Sequence, residues 1–370
     1  MAARGVHLDH GQRRDWLRLI RTENVGPRTF RGLVNRFGGA AAALDALPTL
    51  AQRGGGLIPP RIPTIGEAEA EMEALARLGG RFIAIGEPEY PAPLREIDDA
   101  PPLIAVRGLP ELLNRPTVGI VGSRNASGAG RTMTMRLARG LGEAGWVVAS
   151  GLARGIDTSA HESSLSTGTV AVIAGGQDKP YPRENESLMQ RIAEIGVVLT
   201  EMPMGWEPRA RDFPRRNRLV SGISLWVVVV EAAERSGSLI TARLANEQGR
   251  LVFAVPGSPL DPRSGGANGL IKQGASLITG AEDILEALAP LVGRPMPSAL
   301  EEREYDASAM SDPTDDTRSR VLSLLGPTPI PVDDIVVMAR ASVSDVQILL
   351  LELELAGRLE RHPGGGVSML

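Results

Sequence analysis

Thr117-Val118-Gly119-Ile120-Val121-Gly122-Ser123-Arg124-Asn125-Ala126-Ser127-Gly128 begins as a β-branched run and ends in a loop of small and polar residues. The pattern returns in Trp146-Val147-Val148-Ala149, which runs into Ser150-Gly151-Leu152-Ala153-Arg154-Gly155-Ile156-Asp157. Further short β-rich runs lie at 169–173, 197–200, 225–230 and 251–255, each followed by a polar or glycine-rich loop and most by a helical stretch. Near-continuous apolar strands alternating with helices call for a parallel sheet covered on both faces. Residues 79–290 are therefore expected to form an α/β domain with an extended, Rossmann-like, doubly wound and mostly parallel sheet.

Outward from this block, residues 1–78 show helical apolar spacing at Trp16, Leu17, Leu19 and Ile20 and again at Phe30, Leu33, Val34 and Phe37. Asn24-Val25-Gly26-Pro27 separates the two as a tight turn. This predicts a SAM or helix-hairpin-helix-like unit with Arg13, Arg14, Arg18, Arg21, Arg28, Arg31 and Arg36 around the turn. Backbone amides at such a turn can meet a phosphate; a packing module with a solvated basic face accounts for the same residues. Residues 291–317 are rich in Pro, Glu, Asp and Ser without periodicity and read as a linker. Residues 318–370 offer helices at 318–325, 332–339 and 344–356, then a two-stranded wing, the pattern of a winged-helix domain.

Composition limits the chemistry. The chain has 370 residues, a formal net charge of −4 and no cysteine, so disulfides and thiolate metal sites are excluded. The longest strongly apolar run, 225–230, is too short to cross a bilayer, and a soluble cytoplasmic protein is expected. Lys179 and Lys272 are the only lysines, leaving arginine to supply nearly all the positive charge.

In an open α/β sheet, ligands bind beyond the carboxyl ends of the strands. Three loops should gather there: Gly122 to Gly128, Ser150 to Asp157, and Gly175-Gly176-Gln177 leading to Tyr181-Pro182-Arg183. None carries a Gly-x-Gly-x-x-Gly fingerprint in register, and no Gly-Lys-Ser/Thr occurs, which argues against a dinucleotide or P-loop site. Asp157 and His161 stand four apart on one helix face, as an acid–base pair or as a helix cap and a satisfied core histidine. The densest signal is Arg209, Arg211, Phe213-Pro214-Arg215-Arg216-Asn217-Arg218. So many arginines are costly to pack together without an anion, and arginine binds phosphate through charge-assisted, bidentate hydrogen bonds.

These motifs resemble the DNA processing protein A (DprA/Smf) family. The resemblance runs from Tyr90 to about Ile278 and rests on Tyr90-Pro91-x-x-Leu94-x-x-Ile97-x-x-Ala100-Pro101-Pro102, Val121-Gly122-Ser123-Arg124 and the Ser150 to Asp157 loop. It continues through Tyr181-Pro182-x-x-Asn185, Phe213-Pro214-x-Arg216-Asn217-Arg218, Ser236-Gly237-Ser238-Leu239-Ile240-Thr241 and Val255-Pro256-Gly257. It implies a Rossmann-like core that binds single-stranded DNA without a cofactor or catalysis, a homodimer, and delivery of strands to RecA recombinase in transformation. The expected DNA ligands are Gly122, Ser123, Arg124, Ser150, Gly151, Gly175, Lys179, Arg183, Arg215, Arg216, Asn217 and Arg218. An enzyme acting on a nucleotide or phosphoribosyl group would use the same edge, with Glu231 as its acid–base residue. The expected recognition helix of the winged domain, from Ser344 through Glu352 and Glu354, has no basic residue, which suits protein contact better than duplex reading.

Overall fold

In the computed structural model, residues 7–288, 312–362 and 365–370 are described. They divide into two compact units. The larger lies within Glu71–Glu301, the smaller within Leu8–Ala70 and Glu302–Leu370.

The larger unit is built on a nine-stranded sheet. Its strands are β1 (Gly80–Ala84), β2 (Leu103–Gly108), β3 (Thr117–Gly122), β4 (Val147–Ser150), β5 (Thr169–Val172), β6 (Val197–Thr200), β7 (Trp226–Val230), β8 (Leu251–Ala254) and β9 (Ser276–Leu277). They lie in the order β1-β2-β6-β5-β4-β3-β7-β8-β9. All pairs are parallel except β1 with β2 and β2 with β6. The six strands expected from sequence are present. The antiparallel edge β1–β2 and the short β9 are additions, carried by runs too short or too mixed to stand out.

Strand periodicity explains the two faces. Val227 and Val229 enter one core with Leu219, Val220 and Ile223 of the helix Asp212–Ile223 and with Ala242 and Ala245. Val228 and Val230 enter the other with Leu137 and Leu141 of the helix Gly128–Glu143. Trp146 and Trp226 meet edge to face at 4.9 Å in that second layer. From β3 the chain winds one way through β4, β5 and β6; it then returns and winds the other way through β7, β8 and β9. The carboxyl ends of β3 and β7, paired through Gly122 and Val230, therefore form the topological switch point.

The smaller unit joins both ends of the chain. The helices His10–Ile20, Pro27–Phe37 and Ala40–Arg53 enclose Leu19, Phe30, Leu33, Leu47 and Leu50. Leu351 and Leu355 of the helix Val343–Leu355 belong to the same apolar cluster. The other face of that helix supplies Val346, Leu349, Leu350 and Leu353 to a second cluster with Val321 and Ile335. The strands Ile330–Pro331 and Leu359–Arg361 flank Gly366–Met369 to form the wing. Polar links reinforce the junction: Asn24 Nδ2 donates to the Leu355 carbonyl at 3.3 Å, and Arg358 Nη1 to the Gly54 carbonyl at 3.1 Å. Arg318 pairs with the buried Glu352 at 2.7 Å.

Residues 1–78 and 318–370 read from sequence as separate domains; Leu8–Ala70 and the described part of Glu302–Leu370 form one compact unit, while 71–78 fall with the sheet. The expected linker 291–317 falls largely outside the described residues, and the helix expected from 318 begins at Asp315 behind the Thr314 cap. Among the described residues no helix is long and apolar enough to cross a membrane.

Candidate nucleic-acid interface

At the switch point lies a hollow of about 810 Å³. Gly122, Ser123, Arg124, Gly151, Phe213, Arg216, Asn217, Arg235, Ser236 and Ser238 are among the residues that line it. A second hollow of about 620 Å³ shares Arg124, Gly151, Tyr181, Phe213 and Arg216 with the first and adds Arg131 and Arg154.

Three helices begin at this edge. Ser127 caps Gly128–Glu143 by accepting from the Gly130 amide, and Ser236 caps Gly237–Glu247 by accepting from the Ser238 amide. Ile156–Ser164 starts after Gly155 with no side-chain cap. Each start carries the positive end of a helix dipole, which favours an anion. The sheet must close tightly beneath them. A Cβ on Gly122 would lie 1.9 Å from the Val230 carbonyl oxygen, so only glycine lets β3 and β7 meet there.

Arg216 forms part of the floor and is buried. Its Nη1 donates to the carbonyls of Gly151 and Val172, the latter at 2.6 Å, and its Nε donates to Asn217 Oδ1 at 3.2 Å. A Cβ at Gly151 would fall 2.6 Å from the guanidinium, so the glycine makes room for the arginine. Burial pushes the Arg216 pKa down to about 10, a shift that Asp157 opposes and Arg124 reinforces; the group stays charged at neutral pH. Asp157 Oδ2 accepts from the amides of Gly151 at 3.1 Å and Ala153 at 3.2 Å, which shapes the loop. Burial pushes this carboxyl up, against the pull of Arg216 and the amides.

His161 is a core histidine. Its Nδ1 lies 2.7 Å from Thr169 Oγ1, and burial, with Arg216 adding repulsion, lowers its pKa to about 3. The Glu231 carboxylate, the acid–base group of the enzymatic alternative, accepts from the Ser127 amide at 2.8 Å and from the Ser127 hydroxyl. It ties the end of β7 to the loop after β3.

Phe213 is the hub of the hollow. The Arg124 guanidinium stands 5.2 Å from its ring centroid and that of Arg216 6.0 Å, within cation–π range. The Tyr181 ring lies 5.3 Å away, tilted by 54°, and Tyr181 is half exposed. Two cations and an accessible aromatic pair thus share one wall.

Of the twelve expected ligands, Gly122, Ser123, Arg124, Gly151, Arg216 and Asn217 line the first hollow. The other six line neither hollow. Ser150 is fully buried and donates to the Ile120 carbonyl at 2.7 Å. The Gly175 carbonyl accepts from the Thr200 hydroxyl at 2.9 Å. Lys179 stands 3.9 Å from Glu207, and Arg183 is an exposed residue beyond the Tyr181–Pro182 turn. Arg215 pairs with Glu201 at 2.9 Å. Arg218 is buried: its Nη2 reaches Glu201 at 2.5 Å, its Nη1 donates to the Asp99 carbonyl at 2.8 Å, and its Nε lies 3.3 Å from the Asp99 carboxylate. Arg218, expected as a DNA ligand beside Arg124, is turned away from the hollows. Helical geometry turns Arg216 and Arg218 about 200° apart around one axis, and the buried carboxylate of Glu201 claims the second. Phe213, Tyr181 and Arg235 are wall residues not anticipated as ligands. The aromatic of the Phe-Pro-x-Arg-Asn-Arg run, standing among arginines, was the available signal.

A Rossmann-like protein with a cationic, glycine-floored hollow at its switch point, joined to helical-hairpin and winged-helix modules, is the class that fold and site define. The chain belongs to the DNA recombination-mediator protein A (DprA/Smf) family, whose core matches residues 81–289. A DprA-like N-terminal HHH domain matches 10–74 and a DprA winged helix domain 306–365. The chain is 43% identical over 232 residues to the DNA processing protein DprA of Bacillus subtilis, covering 62% of this chain and 76% of that one. The X-ray structure of DNA processing protein A from Streptococcus pneumoniae is similar with a TM-score of 0.58 at 37% identity, covering 67% of this chain and 82% of that chain. A Helicobacter pylori DNA processing protein A, solved for its single-stranded DNA binding mode, matches with a TM-score of 0.53 at 30% identity, covering 56% of this chain and 96% of that chain.

Proposed function

We propose that the hollow holds single-stranded DNA through its phosphates, with little sequence preference. In this reading the chain protects incoming strands and loads RecA recombinase onto them during transformation or recombination, acting as a homodimer without catalysis. The observation that carries the reading is the meeting of Arg124 and Arg216 on the Phe213 ring at the start of three helices. Arg216 is fixed by carbonyls and serves as a preset charge; Arg124 is exposed and free to close on a phosphate. The Tyr181–Phe213 pair offers a face on which any base can stack. The single-stranded DNA binding of the Helicobacter pylori relative supports the same ligand.

The test is anisotropy of a labelled oligothymidine across a salt series. Single-strand binding through phosphates should give a log–log slope of roughly −0.7 per phosphate neutralised, flattened in Arg124→Ala. An unchanged affinity and slope in that variant would remove the assignment. Strong thermal stabilisation by one mononucleotide, with none by oligothymidine, would favour the enzymatic alternative instead. RecA loading is read by RecA-dependent ATP hydrolysis on the same oligonucleotide: no acceleration by the chain removes that step. Sedimentation of the full chain tests the dimer.

A further inference from the structure

The helix Val343–Leu355 packs into apolar clusters of the smaller unit on two sides. We propose that a groove beside it, between the helices Pro27–Phe37 and Val343–Leu355, binds an acidic peptide carrying a large apolar side chain. The groove holds about 260 Å³ and lies wholly within the smaller unit. Ile348 and Leu351 form a buried aliphatic floor, and Val343, 61% exposed, stands at its lip. Arg28, Arg36 and Arg361 line the same groove; Arg36 Nη2 already holds Asp312 at 2.8 Å and Arg361 Nε holds Glu354 at 3.2 Å, so these two offer a ligand only their remaining N–H groups. Aliphatic floor and guanidinium walls complement a side chain of leucine or phenylalanine size flanked by carboxylates.

Two further observations point to an occupant. The Thr29 hydroxyl, on a residue only 2% exposed, and Arg36 Nη1 are buried without a hydrogen-bond partner among the described residues. Both residues line the groove, and small rotamer adjustments would let a bound carboxylate complete them. Gly32 sits inside the helix Pro27–Phe37, where glycine lowers helix stability. A Cβ there would meet nothing within 4 Å, so no packing demands glycine; its lack of a side chain keeps the groove open. A nucleic-acid strand fits this lining less well, because the floor offers aliphatic carbon and no aromatic face for a base.

The experiment pans a displayed library of random dodecapeptides on the full chain, with oligothymidine saturating the sheet hollow. Recovered peptides should pair Asp or Glu with Leu, Ile or Phe. A labelled synthetic copy should bind about tenfold or more weakly to Gly32→Leu, which fills the groove, and to the double variant Arg28→Glu/Arg361→Glu. Gly32→Ala, a favourable helix change, should remain folded and bind within about twofold of the parent. Peptides lacking the acidic–apolar pairing, or undiminished binding to Gly32→Leu, would overturn the proposal. So would a double charge reversal that weakens oligothymidine binding, which would make the groove a nucleic-acid surface. Oligothymidine affinity is expected to be the same in both Gly32 variants. The groove and the sheet hollow therefore succeed or fail separately.

Discussion

The helix Asp212–Ile223 presents arginines to two different environments. On the side of the hollow, Arg216 donates to uncharged acceptors, the carbonyls of Gly151 and Val172 and the amide oxygen of Asn217, and its nearest ring is shared with Arg124. On the other side, Arg218 and Arg215 meet the full negative charge of Glu201, and Arg218 also meets Asp99. The first arrangement leaves net positive potential facing an open cavity. The second cancels charge inside the protein and fastens the helix to the chain around it. Arginine density alone marks neither role; the groups that each guanidinium already holds decide whether it can bind DNA or only hold the fold.

The largest expected effect tests the second side. Arg218→Ala removes the Nη2 contact to the buried Glu201 carboxylate and the contacts to Asp99, and should cost about 3–5 kcal/mol in urea unfolding. Should stability be unchanged while oligothymidine binding disappears, the division between the two sides is wrong. Phe213→Ala should lower oligothymidine affinity by about 1–3 kcal/mol, the usual worth of a stacked base. Arg124→Ala removes one charge-assisted contact and should lower affinity by about 1.5–3 kcal/mol. Its unfolding free energy should stay within about 0.5 kcal/mol of the parent, because the residue is exposed.

A smaller effect comes from the core below Arg216. The His161 pKa falls from an ordinary 6.5 to about 3 in the folded chain. Its contribution to stability is therefore complete above pH 6.5 and is lost as pH falls toward 3. Between pH 6.5 and 5 this amounts to about 2 kcal/mol. Paired urea melts of the parent and His161→Gln at the two values should show that part of the slope only in the parent.

Much of the fold could be read directly. The valine runs of β3, β4 and β7 with their glycine-rich exits specify a parallel sheet and place the site at its carboxyl edge. Gly122, Arg124 and Gly151 follow from that logic. The fate of Arg218 does not, because Asp99 lies far away in sequence and neither it nor Glu201 has a motif that ties it to Arg218. Serine and glycine exits also look alike whether the residue lines a cavity, as Gly151 does, or lies beneath it, as Ser150 does. The helix Val343–Leu355 shows why the two outer modules pack together in one compact unit. Its apolar residues occupy nearly the whole circumference, Leu349 and Leu353 for one cluster and Leu351 and Leu355 for another. A helix apolar all round is buried on both sides, and its second partner is the first part of the chain.

The shared cluster of Leu33, Leu47, Leu351 and Leu355 has a consequence for biosynthesis. The opening hairpin can make its local turns early, but its apolar seam is completed only when residues some three hundred positions later leave the ribosome. Such distant closure raises contact order and slows assembly, so the sheet unit, contiguous in sequence, should fold first. Trimming either terminus would uncover leucines at the other, and early stop products should aggregate or be degraded instead of persisting as a working core.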